Sequence, residues 1–206
     1  MNKRIPQLLE AFALLRRRHP GARLLLVGGA GDRFDVGRRL ERLGLTEGVE
    51  RLDYVPEERM WSLMAACDVL VNLRYPTMGE TSGSVIRALS LGRPLVVSDV
   101  GWFAELPDDV ALKVPVDDFE VDVLEAALEF GVRHGPELGA NARAFVEREH
   151  DLGHVADLYA AALETAAGAD AVDDEVLHRI AEAAADAGID DVQALARAAV
   201  EAGIVG

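Results

Sequence analysis

Residues 75–94 read Y-P-T-M-G-E-T-S-G-S-V-I-R-A-L-S-L-G-R-P, and the hydroxyls and glycines at their centre are the stretch best equipped for chemistry. Gly79, Glu80, Thr81, Ser82, Gly83 and Ser84 are small or polar and follow an apolar run, residues 68–73, whose length suits a buried strand. After them Val85, Ile86, Leu89 and Leu91 recur as on an apolar helix, which Gly92 and Pro94 stop. A strand that feeds such a loop into a helix gathers several free backbone N–H groups at the positive end of the helix dipole. An anion, phosphate first among them, is the expected guest. A plainer role is open to the same residues, in which Thr81, Ser82 or Ser84 merely caps the helix.

The elements that must position this loop follow from periodicity. Leu8, Leu9, Phe12, Leu14 and Leu15 give a helical stripe that ends near His19 and Pro20. Residues 23–27 form a strand, 36–43 a short basic helix and 49–55 a strand. Pro56, Glu57 and Glu58 open a further helix with Met60, Leu63 and Met64 as its core face. Strands at residues 95–98 and 111–114 flank the stretch 99–107, where a glycine turn enters a short helix. From residue 121 the pattern is helical, in segments 121–132, 137–149 and 154–166. The glycines at 28, 29 and 31 do not satisfy G-x-G-x-x-G, so they make no dinucleotide fingerprint.

Strands alternating with helices, the strands nearly all apolar, predict an α/β fold: a doubly wound, Rossmann-like parallel sheet with helices on both faces. Ligands of such sheets sit beyond the carboxyl ends of the strands, where the 75–84 loop emerges. A composition shift near residue 167 divides the chain into a domain, 1–166, and an all-helical extension, 167–206. Asp173, Asp174, Asp190 and Asp191 are placed to cap the two helices of a hairpin in that extension. Docking of the hairpin on the domain is the preferred expectation, with docking on a partner as the other.

A net charge of −15 over 206 residues leaves no basic field for a polyanion, which argues against nucleic-acid binding. The charge is uneven, and the arginines at 16, 17, 18, 23, 33, 38, 39 and 42 could meet anionic lipid head groups in a peripheral membrane contact. Cys67, the single cysteine, excludes an internal disulfide and reads as a small buried hydrophobe. Without an apolar stretch of membrane-spanning length or a signal-peptide core, the expected setting is the cytoplasm. No His stands at a strand end and no ligand cluster has metal spacing, so neither a catalytic His nor a metal is assigned.

The blocks N-K-R-I-P-Q-L-L-E-A-F…P-G-A-R-L-L-L-V-G, A-C-D-V-L-V-N-L and G-E-T-S-G-S-V-I-R-A-L-S-L-G-R-P-L-V-V-S-D-V-G-W-F-A-E occur in this order. Together they resemble the C-terminal, nucleotide-sugar-binding half of family-4 retaining glycosyltransferases of the GT-B fold, over residues 2–165. The resemblance implies transfer of a sugar from a nucleotide-diphosphate sugar with retention of configuration, with no further cofactor required. It places Lys3 on the donor diphosphate, and Tyr54, Val55 and Pro56 in the turn that holds the base edge. Glu105 takes the acid position after the next strand. The family spans this loop and helix with E-x7-E. Here Gly79 stands at the first Glu position with Glu80 one residue later, and Arg87 stands at the second.

Glu80 and Lys3 are accordingly the catalytic candidates. Gly79, Thr81, Ser82, Gly83, Ser84 and Arg87 are the donor-binding ones, together with Tyr54, Val55 and Glu105. Arg87 cannot accept from ribose hydroxyls as a carboxylate does, but it can donate to phosphate. The resemblance also implies a strand ahead of Lys3 in the middle of the sheet, and an acceptor domain ahead of that strand. A truncated enzyme, or one half of a two-chain enzyme, is therefore expected. Unpaired backbone on the neighbouring strands would invite self-association. The alternative is a non-catalytic module that binds a nucleotide sugar or a partner.

Overall fold

The computed structural model describes residues 3–29 and 35–167. The chain forms two compact units, residues 1–149 and 150–206, and each is described by itself. In the first, helix α1 (Ile5–Arg18) has Pro6 in its first turn, Arg16, Arg17 and Arg18 in its last turn, and buries Leu8, Leu9, Phe12 and Leu15. Burying an aliphatic side chain of this size contributes about 1.5–3 kcal/mol, so this stripe adds to the good helix propensity of the Gln, Glu and Arg residues on the polar face. The chain continues through β1 (Leu24–Val27), α2 (Val36–Leu43), β2 (Val49–Leu52), α3 (Glu57–Ala66) and β3 (Leu70–Asn72). Then come α4 (Gly83–Ser90), β4 (Leu95–Ser98), a 3-10 helix (Gly101–Glu105), β5 (Leu112–Val114), α5 (Glu120–Arg133) and α6 (Gly135–Glu149).

Among the described residues all strand pairing is parallel, and the ladder is divided. β1 pairs with β2, with Leu24 opposite Val49, while β3, β4 and β5 form a second sheet, with Leu70 opposite Leu95 and Val96 opposite Leu112. Among the described residues no strand joins β1 to β3. The two sheets nonetheless share a core, because Leu24 and Leu26 of β1 and Val71 of β3 pack against the same cluster as α1 and α5. Along β4 the side chains alternate between faces: Val96 enters that cluster, whereas Leu95 and Val97 enter a second one with Val85 and Leu89 of α4. A strand buried on both faces is what a doubly wound parallel sheet requires.

Helix α6 comes against the end of α4 so closely that a Cβ on Gly139 would lie 2.1 Å from the Gly92 carbonyl oxygen. Only glycine permits that approach. Helix α3 is less covered than its sequence suggests. It buries no residue fully, and of Met60, Leu63 and Met64 only Met64 packs against a core cluster. Cys67 is half-buried rather than enclosed, its thiol lying 3.3 Å from the Leu63 carbonyl, and burial pushes the thiol above its ordinary range.

The second unit contains α7 (Leu152–Ala167), which Asp151 caps by accepting the His154 N–H at 2.9 Å. The expected helical hairpin lies outside the described residues. No helix among the described residues is long and apolar enough to cross a membrane.

Candidate functional site

The loop between β3 and α4 is built from its two ends inward. Ser98, at the end of β4 and fully buried, accepts the Arg74 N–H on its Oγ at 2.9 Å and so fixes where the chain leaves β3. A cis Tyr75–Pro76 peptide follows. Glu80 then folds back over the turn, its Oε2 accepting from Thr77 Oγ1 at 3.0 Å and from the Met78 N–H at 2.8 Å. Those bonds belong to the charged carboxylate. The N–H groups of Glu80 and Met78, the Thr77 hydroxyl and Arg74 hold its pKa below the usual range.

Gly101 closes the far side of this turn. It has φ +53°, and a Cβ there would meet Thr77 Cγ2 at 2.7 Å, so the 3-10 helix that ends at Glu105 lies directly against the loop. Glu105 itself is exposed.

Ser82 occupies the N-cap position of α4 with extended backbone, yet its side chain makes no capping bond. Its Oγ, on a residue only 6 % exposed, lies 3.1 Å from Ser84 Oγ, and Ser84 Oγ accepts from Asn72 Nδ2 at 2.8 Å. The capping role open from the sequence is therefore not what the Ser82 hydroxyl does. The first N–H groups of α4 are left without a side-chain cap, and Gly79, Glu80, Thr81, Gly83 and Ser84 around them are exposed.

Lys3 is brought to this loop by its neighbour. Arg4 adopts the left-handed conformation (φ 49°) and sends its guanidinium to Glu120, a residue 2 % exposed at the start of α5. Arg4 Nε donates to Glu120 Oε1 at 2.9 Å, and Nη2 donates to Oε2. The same guanidinium lies 5.8 Å from the centre of the Tyr75 ring. The bond to Glu120 is the main cause that raises the Arg4 pKa. With its neighbour fixed in this way, the Lys3 ammonium is partly desolvated although the residue is exposed by surface area. Burial first, and repulsion from Arg74 second, lower its pKa, while Glu80 opposes them.

The remaining expected residues lie on neighbouring elements. Tyr54 is exposed and Val55 buried in the turn after β2, and Pro56 precedes the first turn of α3. Arg87 faces α3: its Nη2 donates to Glu57 Oε1 at 2.6 Å, and its guanidinium carbon lies 5.8 Å from the centre of the Trp61 ring. It thus joins α4 to α3, the helix that follows the turn carrying Tyr54 and Val55.

The structure adds residues that sequence reasoning did not single out. They are Arg74, Asn72, Ser98 and Thr77 around the loop, Arg4 and Glu120 behind Lys3, and Glu57 and Trp61 around Arg87. For Arg74 a signal was available, since a charged residue immediately after a buried parallel strand sits where ligands of such sheets bind. Glu120 carried none, being 116 positions from its partner. No group of three or more His, Cys, Asp or Glu side chains among the described residues could hold a metal ion.

Parallel strands flanked by helices, with a helix start that has no side-chain cap at their carboxyl edge, define an α/β domain of the doubly wound class. The family model for glycosyl transferases group 1 matches residues 1–130. The chain belongs to the group 1 glycosyl transferases. Mannosylfructose-phosphate synthase of Agrobacterium fabrum is 33 % identical over 107 residues, which is 47 % of this chain and 23 % of that protein. Anabaena HepE, solved in complex with UDP, has the same fold with a TM-score of 0.65 at 20 % identity, over 79 % of this chain and 45 % of that one. The C-terminal domain of the Francisella tularensis group 1 protein LpcC superposes with a TM-score of 0.61 at 15 % identity, over 73 % of this chain and 81 % of that domain. The chain thus spans less than half the length of the first two relatives and most of the third.

Proposed function

We propose that this chain is the donor-binding part of a retaining glycosyltransferase, taking a nucleotide-diphosphate sugar and acting together with an acceptor-binding part. The observation that carries the reading is the uncapped start of α4 beside Lys3, Glu80 and the Ser82–Ser84 hydroxyl pair, at the carboxyl edge of β3 and β4. Departure of a nucleoside diphosphate develops negative charge, and preorganised N–H groups with a nearby ammonium stabilise it without reorganisation. Lys3 and the N–H groups of Thr81, Ser82, Gly83 and Ser84 would carry that load, with the Thr81 and Ser82 hydroxyls donating to the same oxygens. Glu80 would face the sugar. Tyr54 and Val55 would hold the base edge, and Glu105, across Gly101 from the loop, would complete the wall. No protein nucleophile is assigned. The UDP complex of HepE supports this class of donor, and a nucleotide sugar together with a lone cysteine suits the cytoplasm.

The strand that the resemblance implies ahead of Lys3 is where the divided sheet would find its complement. β1 and β3 each have one edge without a partner among the described residues, and a parallel strand between them would unite the two sheets. A second reading, a non-catalytic binding module, is favoured by one observation. Arg87, at the position where the family keeps a ribose-binding acid, is engaged by Glu57 and Trp61.

Thermal unfolding in the presence of UDP, GDP and ADP tests the donor site. Ligand at one hundred times its dissociation constant contributes about 2.7 kcal/mol, a rise of roughly 5–10 °C in the midpoint. One diphosphate should give that rise, and Ser82→Ala should diminish it. No rise with any of the three would remove the reading. Transfer activity that returns when an acceptor domain is supplied would separate the enzyme from the binding module.

A further inference from the structure

Arg74 is mostly enclosed, its side chain only 16 % exposed, yet its donors are largely unspent. Its Nε is buried and has no hydrogen-bond partner among the described residues. Its Nη1 reaches Glu80 Oε1 at 3.4 Å, which is long for a charge-assisted hydrogen bond. Glu80 is meanwhile committed through its other oxygen to Thr77 and Met78. The Lys3 ammonium stands close enough to Arg74 for the two cations to repel each other. Arg4, the other nearby arginine, is neutralised by Glu120.

Among the described residues, the two cations at the carboxyl end of β3 are therefore faced by Glu80, which satisfies neither fully. Holding a guanidinium in this state costs stability, because enclosed donors without acceptors lose their hydration. The chain fixes Arg74 there nonetheless, through the bond from its N–H to buried Ser98. Asn72, two positions earlier, reaches Ser84 in the first turn of α4, so β3 delivers both the Arg74 backbone and the start of α4 to one place.

From the unspent donors of Arg74 beside Lys3, we infer that Arg74 is a second cationic ligand of the donor diphosphate. Its fork engages phosphate oxygens in place of the long contact to Glu80. The inference rests on the donor-site reading above and deepens it. A planar fork suits two phosphate oxygens at once, whereas the Lys3 ammonium acts as a point charge. Together they would favour a diphosphate over a monophosphate of the same nucleoside. Glu80, released from Arg74, keeps its bonds to Thr77 and Met78 and remains free to face the sugar.

The test is calorimetric titration of the full chain with UDP, GDP and ADP and with the matching monophosphates, for the wild type, Arg74→Gln and Arg74→Lys. The readout is the ratio of diphosphate to monophosphate affinity. Arg74→Gln should lower diphosphate affinity about tenfold or more while lowering monophosphate affinity far less, and Arg74→Lys should fall between it and the wild type. Equal losses for both ligands would mean that Arg74 only shapes the loop, and would overturn the inference, as would unchanged diphosphate binding in both variants. Should Arg74→Gln fail to fold, Arg74→Lys decides alone: a lowered ratio supports the assignment and an unchanged ratio overturns it. A folded wild type that binds none of the diphosphates refutes the donor site itself, an outcome distinct from a wild type that binds and a variant that binds equally well.

Discussion

Replacing Glu120 by Gln tests how Lys3 comes to stand at the loop. Glu120 is 2 % exposed, and both its oxygens accept from one guanidinium. Gln keeps the shape but offers one acceptor, and turns an N–H2 towards a group that can only donate. Breaking a buried pair by disabling one partner costs about 3–5 kcal/mol. Because the Arg4 side chain is 21 % exposed and can turn towards water, the lower end of that range, about 3 kcal/mol, is expected here. For a chain of this size that is a fall of roughly 6–12 °C in the unfolding midpoint, measurable by circular dichroism. The double substitution Arg4→Met with Glu120→Leu removes both charges and should recover most of the loss, since apolar replacements of buried pairs are often neutral. The double variant should still bind diphosphate more weakly than the wild type, because Lys3 would no longer be held beside the loop. A single variant as stable as the wild type, or a double variant with full diphosphate affinity, would refute the reasoning.

Further expectations follow from the same geometry. The Lys3 ammonium has its pKa lowered by burial and by Arg74, so its folded value lies below the unfolded one. The unfolded chain then binds more protons between the two values, and the contribution of Lys3 to stability rises with pH across that window. Diphosphate affinity should change in the opposite sense, falling as pH rises through the lowered Lys3 pKa, and Lys3→Met should abolish that slope in a titration series. Gly101→Ala should cost about 1–2 kcal/mol through its positive φ and its contact with Thr77, and adding Thr77→Ser should return part of it, as read by denaturant unfolding. Arg87→Ala removes an exposed ion pair and should change stability by no more than about 1 kcal/mol. Because Arg87 is held by Glu57 and Trp61 of α3, the helix after the turn proposed to hold the base, calorimetry should show equal losses for diphosphate and monophosphate, the contrary of Arg74→Gln.

The sequence announced most of the elements because each is a local matter. Helix α2 begins and ends where Asp35 and Gly44 allow, Asp35 accepting the Arg38 N–H at 3.0 Å and Gly44 adopting φ 66°. β4 could be read from Leu95, Val96 and Val97, which need nothing beyond burial to specify a strand. The loop was legible as a possible anion site because glycine, hydroxyl and helix start are neighbours in sequence. What the sequence withheld lies in pairings across distance. The Arg4–Glu120 clamp and the Arg87–Glu57 bond join residues 116 and 30 positions apart. Periodicity carries no information about which charge meets which. The same holds for Met60 and Leu63, whose spacing marks a core face but not whether another element arrives to cover it.

A crystal structure of the chain with whichever of UDP, GDP and ADP gives the largest thermal shift tests the central claim most directly. Both phosphates should lie at the start of α4, against the N–H groups of Gly83 and Ser84, with Lys3 and Arg74 in contact and the base beside Tyr54 and Val55. Diphosphate bound away from this loop, or phosphates that leave Lys3 and the start of α4 untouched, would contradict it.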